Sequence, residues 1–288
     1  MQKVTHSEYI AQKKPLAKQL LAKLNEKYQY ASVLITDNYE KGYRASRSGV
    51  AISATNAFGG KGMIVKVYDG KGYAEYSTNE ITAENLPEIE REIEQQLMNP
   101  ANFIPEGTEE AEYKCISDEP CTLCEATDYE IHPREVGDEK LIETVTALRE
   151  KAVKADERIL DAITGFNYQE YHKLFLSANR ELEQSVLYST GIMALVAAKG
   201  EEIKQSFRGF SNLGGAELLD KMESAIPQCV KTVTDLLNAE PMEPGTYECI
   251  CTPEVTGMIV HEAFGHGVEM DMFCLLYTSP SPRDGLLS

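Results

Sequence analysis

Met63-Ile64-Val65-Lys66-Val67-Tyr68-Asp69-Gly70-Lys71-Gly72-Tyr73-Ala74-Glu75-Tyr76 is a pair of β-type runs around an Asp-Gly turn. Val, Ile and Tyr suit a pleated, half-buried surface, and Asp-Gly supplies the backbone freedom of a tight turn. The stretch reads as an antiparallel hairpin. Upstream, residues 15–27 carry Leu16, Leu20, Leu21 and Leu24 on one stripe with Lys and Glu between, an amphipathic helix. Residues 30–36 and 48–54 read as strands. Downstream, Leu86, Ile89, Ile93 and Leu97 line one face of a helix capped at Thr82 or Asn85 and ended by Asn99-Pro100.

Residues 99–135 hold Pro100, Pro105, Pro120 and Pro133 among many acids and read as a long surface excursion. A helix over about 138–156 aligns Leu141, Val145, Leu148 and Ala152. Short β-type runs follow at 159–168, 171–177, 183–190, 192–198 and 203–208, a meander. Gly214-Gly215 precedes a helix with Leu218, Leu219 and Met222. Pro227 is expected to open a second helix running to about Asn238.

Helices and hairpin-connected strands, without strict β-α-β alternation, give an α+β fold: a two-layer domain of helices on a mainly antiparallel sheet. Glu240-Pro241-Met242-Glu243-Pro244-Gly245 reads as a linker. It divides an N-terminal domain, 1–239, from the start of a truncated second domain, 240–273. There, residues 246–251 are expected to form a strand, and Thr252-Pro253-Glu254 has the cap, first-position proline and first-turn acid of a helix start.

The chain has 288 residues, 42% hydrophobic and 26% charged, which suits a globular protein with a sizeable core. Its net charge of −18 argues against nucleic acid and anionic membrane surfaces as partners. No apolar run follows Met1, and no window of about 18 apolar residues occurs, so neither a signal peptide nor a membrane span is expected. Seven cysteines without a secretory signal read as reduced thiols in a cytoplasmic protein.

Two of the five histidines fall in Val260-His261-Glu262-Ala263-Phe264-Gly265-His266-Gly267-Val268-Glu269-Met270-Asp271. Imidazoles and carboxylates so grouped suit zinc or a similar divalent ion, and a Glu beside the first His is where a water-activating base would stand. The pattern differs by one residue from H-E-x-x-H. His261 and His266 are five apart, about 500° around a regular α-helix and so roughly 140° off-face. Either a π-bulge or unwinding at Gly265 is needed to bring both to one ion. The spacing thus predicts a local helix irregularity.

This motif resembles the H-E-A-x-G-H-x-x-E-x-D segment of the TldD/PmbA (TldD/TldE) family. Pro244-Gly245-Thr246-Tyr247 and Pro253-Glu254-Val255-Thr256-Gly257 are similar to the family's approach to it. Gly62-Met63-Ile64-Val65-Lys66-Val67-Tyr68-Asp69-Gly70 and Tyr76-Ser77-Thr78-Asn79 extend the likeness into the N-terminal third. The resemblance covers about residues 14–273 and implies a cytoplasmic, zinc-dependent metallopeptidase subunit of the TldD type that cleaves unfolded peptides. It also implies a partner, either a PmbA/TldE-type subunit lacking the motif or a second copy. By position, His261 and His266 would be metal ligands and Glu262 the catalytic base; for Glu269 and Asp271 only orientation of the histidines can be offered. The family's third ligand is a cysteine far downstream, beyond this chain. The alternative is a non-catalytic fragment that only binds a partner.

Cys274-Leu275-Leu276-Tyr277-Thr278-Ser279-Pro280-Ser281-Pro282-Arg283-Asp284 is what a transposon-based sequencing-library adapter encodes. Residues 274–288 are therefore expected to be adapter read-through, which makes Cys274 a poor third ligand.

Cys115, Cys121 and Cys124 read as free thiols in a loop, because no second C-x-x-C lies at finger spacing and the acidic flanks disfavour a thiolate. Cys249 and Cys251 would share one face of the expected strand. Cys229 fits the apolar face of its helix. His172 reads as a packed core histidine. Gly59-Gly60-Lys61-Gly62 lacks the P-loop pattern and reads as a turn.

Overall fold

A seventeen-residue strand, β2 (Tyr30–Ser46), runs through the interior of the larger sheet. The computed structural model describes residues 1–54, 60–70, 72–98 and 117–266. Cys115, Glu269, Asp271 and the 274–288 segment lie outside them. The chain divides into two compact units, Met1–Ala239 and Glu240–Ser288.

In the first unit β2 pairs antiparallel with β8 (Ile159–Ser177) on one side, and with β3 (Gly49–Ala54) and β4 (Lys61–Tyr68) in succession on the other. The sheet continues through β5 (Tyr73–Thr78) beyond β4, and through β9 (Arg180–Lys199) and β10 (Glu202–Leu213) beyond β8. The β4–β5 hairpin forms as the sequence predicts, with Gly70 at φ +100° and Gly72 donating to the Asp69 carboxylate at 2.9 Å. β6 (Cys121–Ala126) adds the one parallel pairing among the described residues, along the start of β9. Two short strands, β1 (Gln2–Lys3) and β7 (Asp128–Tyr129), pair separately.

The helices cover one face of this sheet. Side chains alternate along a strand. The odd-numbered residues of β2 supply both cores: Val33 and Ile35 join one, Tyr43 and Ala45 the other. The first core packs α1 (Glu8–Lys27) and α2 (Leu86–Met98) through Leu20, Leu24, Leu86, Ile89 and Ile93. The second packs α4 (Asp138–Lys154), which follows the short α3 (Pro133–Val136), and α5 (Leu218–Leu236). This is a two-layer α+β architecture on a largely antiparallel sheet. Among the described residues no helix is long and apolar enough to cross a membrane.

Several sequence expectations need correction. Helix α1 begins at Glu8 rather than 15, capped by Ser7, whose hydroxyl accepts from the Ile10 N–H. The runs at 159–168 and 171–177 are one strand, because Glu170 turns inward to ion partners instead of breaking it. The runs at 183–190 and 192–198 are likewise one. Gly191 leaves the space that Met222 fills: a Cβ there would lie 2.4 Å from its sulfur. Pro227 does not divide α5, since it is exposed while Met222, Ile226, Cys229, Val230 and Val233 carry the buried stripe past it. Part of 99–135 is ordered pairing rather than excursion, as β6, β7 and α3 show.

Candidate metal centre and a second polar cluster

In the second unit, α6 (Pro253–Val260) opens as its sequence predicts: Thr252 stands at the N-cap, Pro253 begins the helix and Glu254 lies in the first turn. Residues 246–251 form no strand, having no partner strand among the described residues to complete a ladder, and Cys249 and Cys251 are exposed. Val255, Met258, Ile259, Val260 and Phe264 are all about half exposed or more.

At His261 the helix changes register. Residues His261–Gly265 form a π-helical turn, and the His266 N–H donates to the His261 carbonyl, an i→i+5 bond. The irregularity that the spacing requires is therefore present, in its π-bulge form and without unwinding. The two imidazoles meet edge-to-face with centroids 4.6 Å apart. Gly265 lies under the first ring, with a Cβ position 3.7 Å from His261 Nδ1, ordinary contact distance. The Glu262 carboxylate stands 3.8 Å from His266 Nε2. One ligand atom from each of His261, Glu262 and His266 lies within 4.8 Å of the others. Two imidazoles and a carboxylate this close form a donor set able to hold a divalent ion. All three side chains are exposed.

A second cluster, which the sequence reading did not assemble, lies between the two cores of the first unit. There the helix-covered face of the sheet turns polar: Asp37, His172 and Ser185 are in register on β2, β8 and β9. Ser185 Oγ lies 2.9 Å from both His172 Nδ1 and His6 Nδ1. His6 Nε2 is 3.4 Å from Cys124 Sγ on β6. On the other side His172 Nε2 is 3.6 Å from Glu170, which Arg134 holds at 2.8 Å and His132 approaches to 3.7 Å. Burial would push the Glu170 carboxyl up, but His172, Arg134 and His132 outweigh it and hold it below the usual glutamate range. His172 is buried, as its sequence context suggested. The only local signal of its role was Glu170 two residues earlier on the same strand face.

Fold and site together define an α+β protein bearing an H-E-x-x-x-H cluster on a π turn. No protein-family profile matches the chain. It is 32% identical over 95 residues to a metalloprotease of Archaeoglobus fulgidus, covering 33% of this chain and 22% of that one. It is 20% identical over 255 residues to a metalloprotease of Methanocaldococcus jannaschii, covering 88% of this chain and 54% of that one. Its fold is similar to that of a proposed DNA gyrase modulator from Bacteroides thetaiotaomicron, with a TM-score of 0.64 at 15% identity over 88% of this chain and 56% of that one. TldE from Thermococcus kodakarensis gives a TM-score of 0.55 at 13% identity, over 76% of this chain and 47% of that one. The chain is thus weakly similar in sequence to archaeal metalloproteases, and its fold is similar to those of TldE and of a proposed gyrase modulator. It spans about half the length of the relatives it matches along most of its own length.

Proposed function

We propose that this chain carries part of a zinc peptidase site of the TldD type, with His261 and His266 as metal ligands and Glu262 as the general base. The observation that supports this is the π turn that gathers these three donors. Zinc held there would act as a Lewis acid toward water and the peptide carbonyl. Glu262 accepts a proton from the attacking water and passes it to the departing amine nitrogen. A catalytic zinc usually has three protein ligands, so we assign the remaining one to sequence downstream, in a second domain that begins at 240. In this reading residues 274–288 are adapter-encoded. The protein works in the cytoplasm on unfolded peptides, with a TldE-type subunit or a second copy as partner; its net charge of −18 speaks against nucleic acid or membrane as the target.

The exposure of all three groups, with only two imidazoles among them, favours a second reading for the chain by itself: a partner-binding fragment that holds metal weakly. Zinc content separates the two. The peptidase reading expects about one zinc per chain once the downstream sequence is restored, and loss of peptide cleavage in Glu262→Gln with zinc retained. A metal-free restored protein would leave only the binding reading.

A further inference from the structure

The Cys124 cluster has a direction. Ser185 Oγ meets two imidazole nitrogens but has one proton, so it can donate to only one ring, and the other must then donate to it. The Glu170 carboxylate beside His172 Nε2 calls for an N–H there, which leaves His172 Nδ1 as the acceptor. Ser185 therefore donates to His172, His6 Nδ1–H donates to Ser185, and His6 Nε2 presents its lone pair to the Cys124 thiol at 3.4 Å. Glu183, 3.7 Å from His6 Nδ1, is placed to favour the tautomer with its N–H on that nitrogen; Lys14 pairs with the same carboxylate at 2.9 Å. Ser185, His172 and Glu170 are buried, which fixes His6 from behind, while Cys124 is exposed. A thiol against an oriented imidazole is the arrangement of an activated nucleophile.

We propose that, contrary to the inert thiol its acidic flanks suggested, Cys124 is a reactive thiol, activated by the His6 contact, whose reaction partners are small hydroperoxides. The sulfur attacks one peroxide oxygen; an S–O bond forms and the O–O bond breaks. Sulfur loses two electrons and the peroxide gains them. The thiol proton passes to His6 Nε2 and on to the departing oxygen, which leaves as water from hydrogen peroxide, and Cys124 becomes a sulfenic acid. A departing hydroxide is strongly basic, so a proton donor at its side matters more here than for a halide. The site is distinct from the His261 cluster and does not depend on the peptidase reading.

Cys121, exposed three residues earlier on the same strand with no histidine beside it among the described residues, is an internal reference. The folded chain is treated with limiting hydrogen peroxide, sulfenic acid is trapped with dimedone, and labelled peptides are quantified by mass spectrometry. Cys124 should label at least about tenfold faster than Cys121, less than the roughly hundredfold or more that a positioned acid–base group supplies in a catalytic site. In His6→Gln the ratio should fall to about one, as it should in the urea-unfolded wild-type chain. Equal rates in the folded wild type, or a ratio that survives either His6→Gln or unfolding, would overturn the proposal.

Discussion

His266 donates its backbone N–H to the carbonyl of His261, and the same turn sets their imidazoles 4.6 Å apart. The five-residue spacing and the π turn are thus one feature. An α turn would bring a four-residue spacing to within about 40° of one face. Deleting Ala263 creates that spacing and leaves Glu262 beside His261. The deletion should keep zinc affinity within about tenfold of the parent, whereas His266→Ala, which removes a ligand outright, should weaken it by more than that. Competition titration against a zinc-sensitive dye reads both. A deletion as damaging as His266→Ala would show that the π turn does more than align two rings.

Much of this was legible in the sequence because it depends on local chemistry. Asp69-Gly70 permits one kind of turn, the leucine stripe of α1 one kind of helix, and the count from His261 to His266 demanded an irregularity. What the sequence hid depends on distant residues. The break expected at Gly191 disappears because Met222 fills the space beside it, and the break expected at 169–170 disappears because Glu170 turns inward to Arg134. Pro227 carries a strong local stop signal that a continuous buried stripe overrides. The His6–Cys124 contact joins residues 118 apart, and neither residue's neighbours announce it.

Glu170 makes stability depend on pH. Its folded carboxyl titrates below its unfolded one, so its stabilisation is complete above the unfolded value and is lost as pH falls through the folded value. Glu170→Gln should cost about 1–3 kcal/mol at pH 7, the scale of a buried charge-assisted interaction. The gap between variant and parent should begin to narrow as pH falls through about 4, near the unfolded value, and close only once pH is below the folded value as well. Urea unfolding at pH 7 and in acid gives both numbers. Equal stability at pH 7 would mean that Arg134 and His172 gain nothing from the carboxylate.

Gly215 is fixed by a close backbone approach. A Cβ there would sit 2.0 Å from the Ile131 carbonyl oxygen, which also accepts the Ala216 N–H at 2.8 Å. Neither side of that contact can yield as a flexible side chain would. Gly215→Ala should therefore destabilise by about 1–3 kcal/mol or more, in the manner of overpacking. Gly209 is the control, because a Cβ there meets nothing within 4 Å and its φ is not positive. Thermal melts should show a clear drop for the first variant and little change for the second.

Pro15 lies well inside α1, which spans Glu8–Lys27, and it is exposed. It can donate no hydrogen bond to the Ala11 carbonyl one turn back, and interior proline costs a helix about 3 kcal/mol relative to alanine. Part of that cost is returned because proline restricts the unfolded chain, by about 0.4–1 kcal/mol. Pro15→Ala should therefore stabilise the protein, by about 2–3 kcal/mol after both effects. Pro227→Ala tests the same balance in α5, where the buried stripe runs uninterrupted past an exposed proline. If either helix needs its proline to bend over the sheet, removing it would displace Leu20 and Leu24 in α1 or Ile226 and Val230 in α5, and the melting temperature would fall. A rise in both variants would show that packing of the apolar stripe, and not the backbone ladder, carries these helices past their prolines.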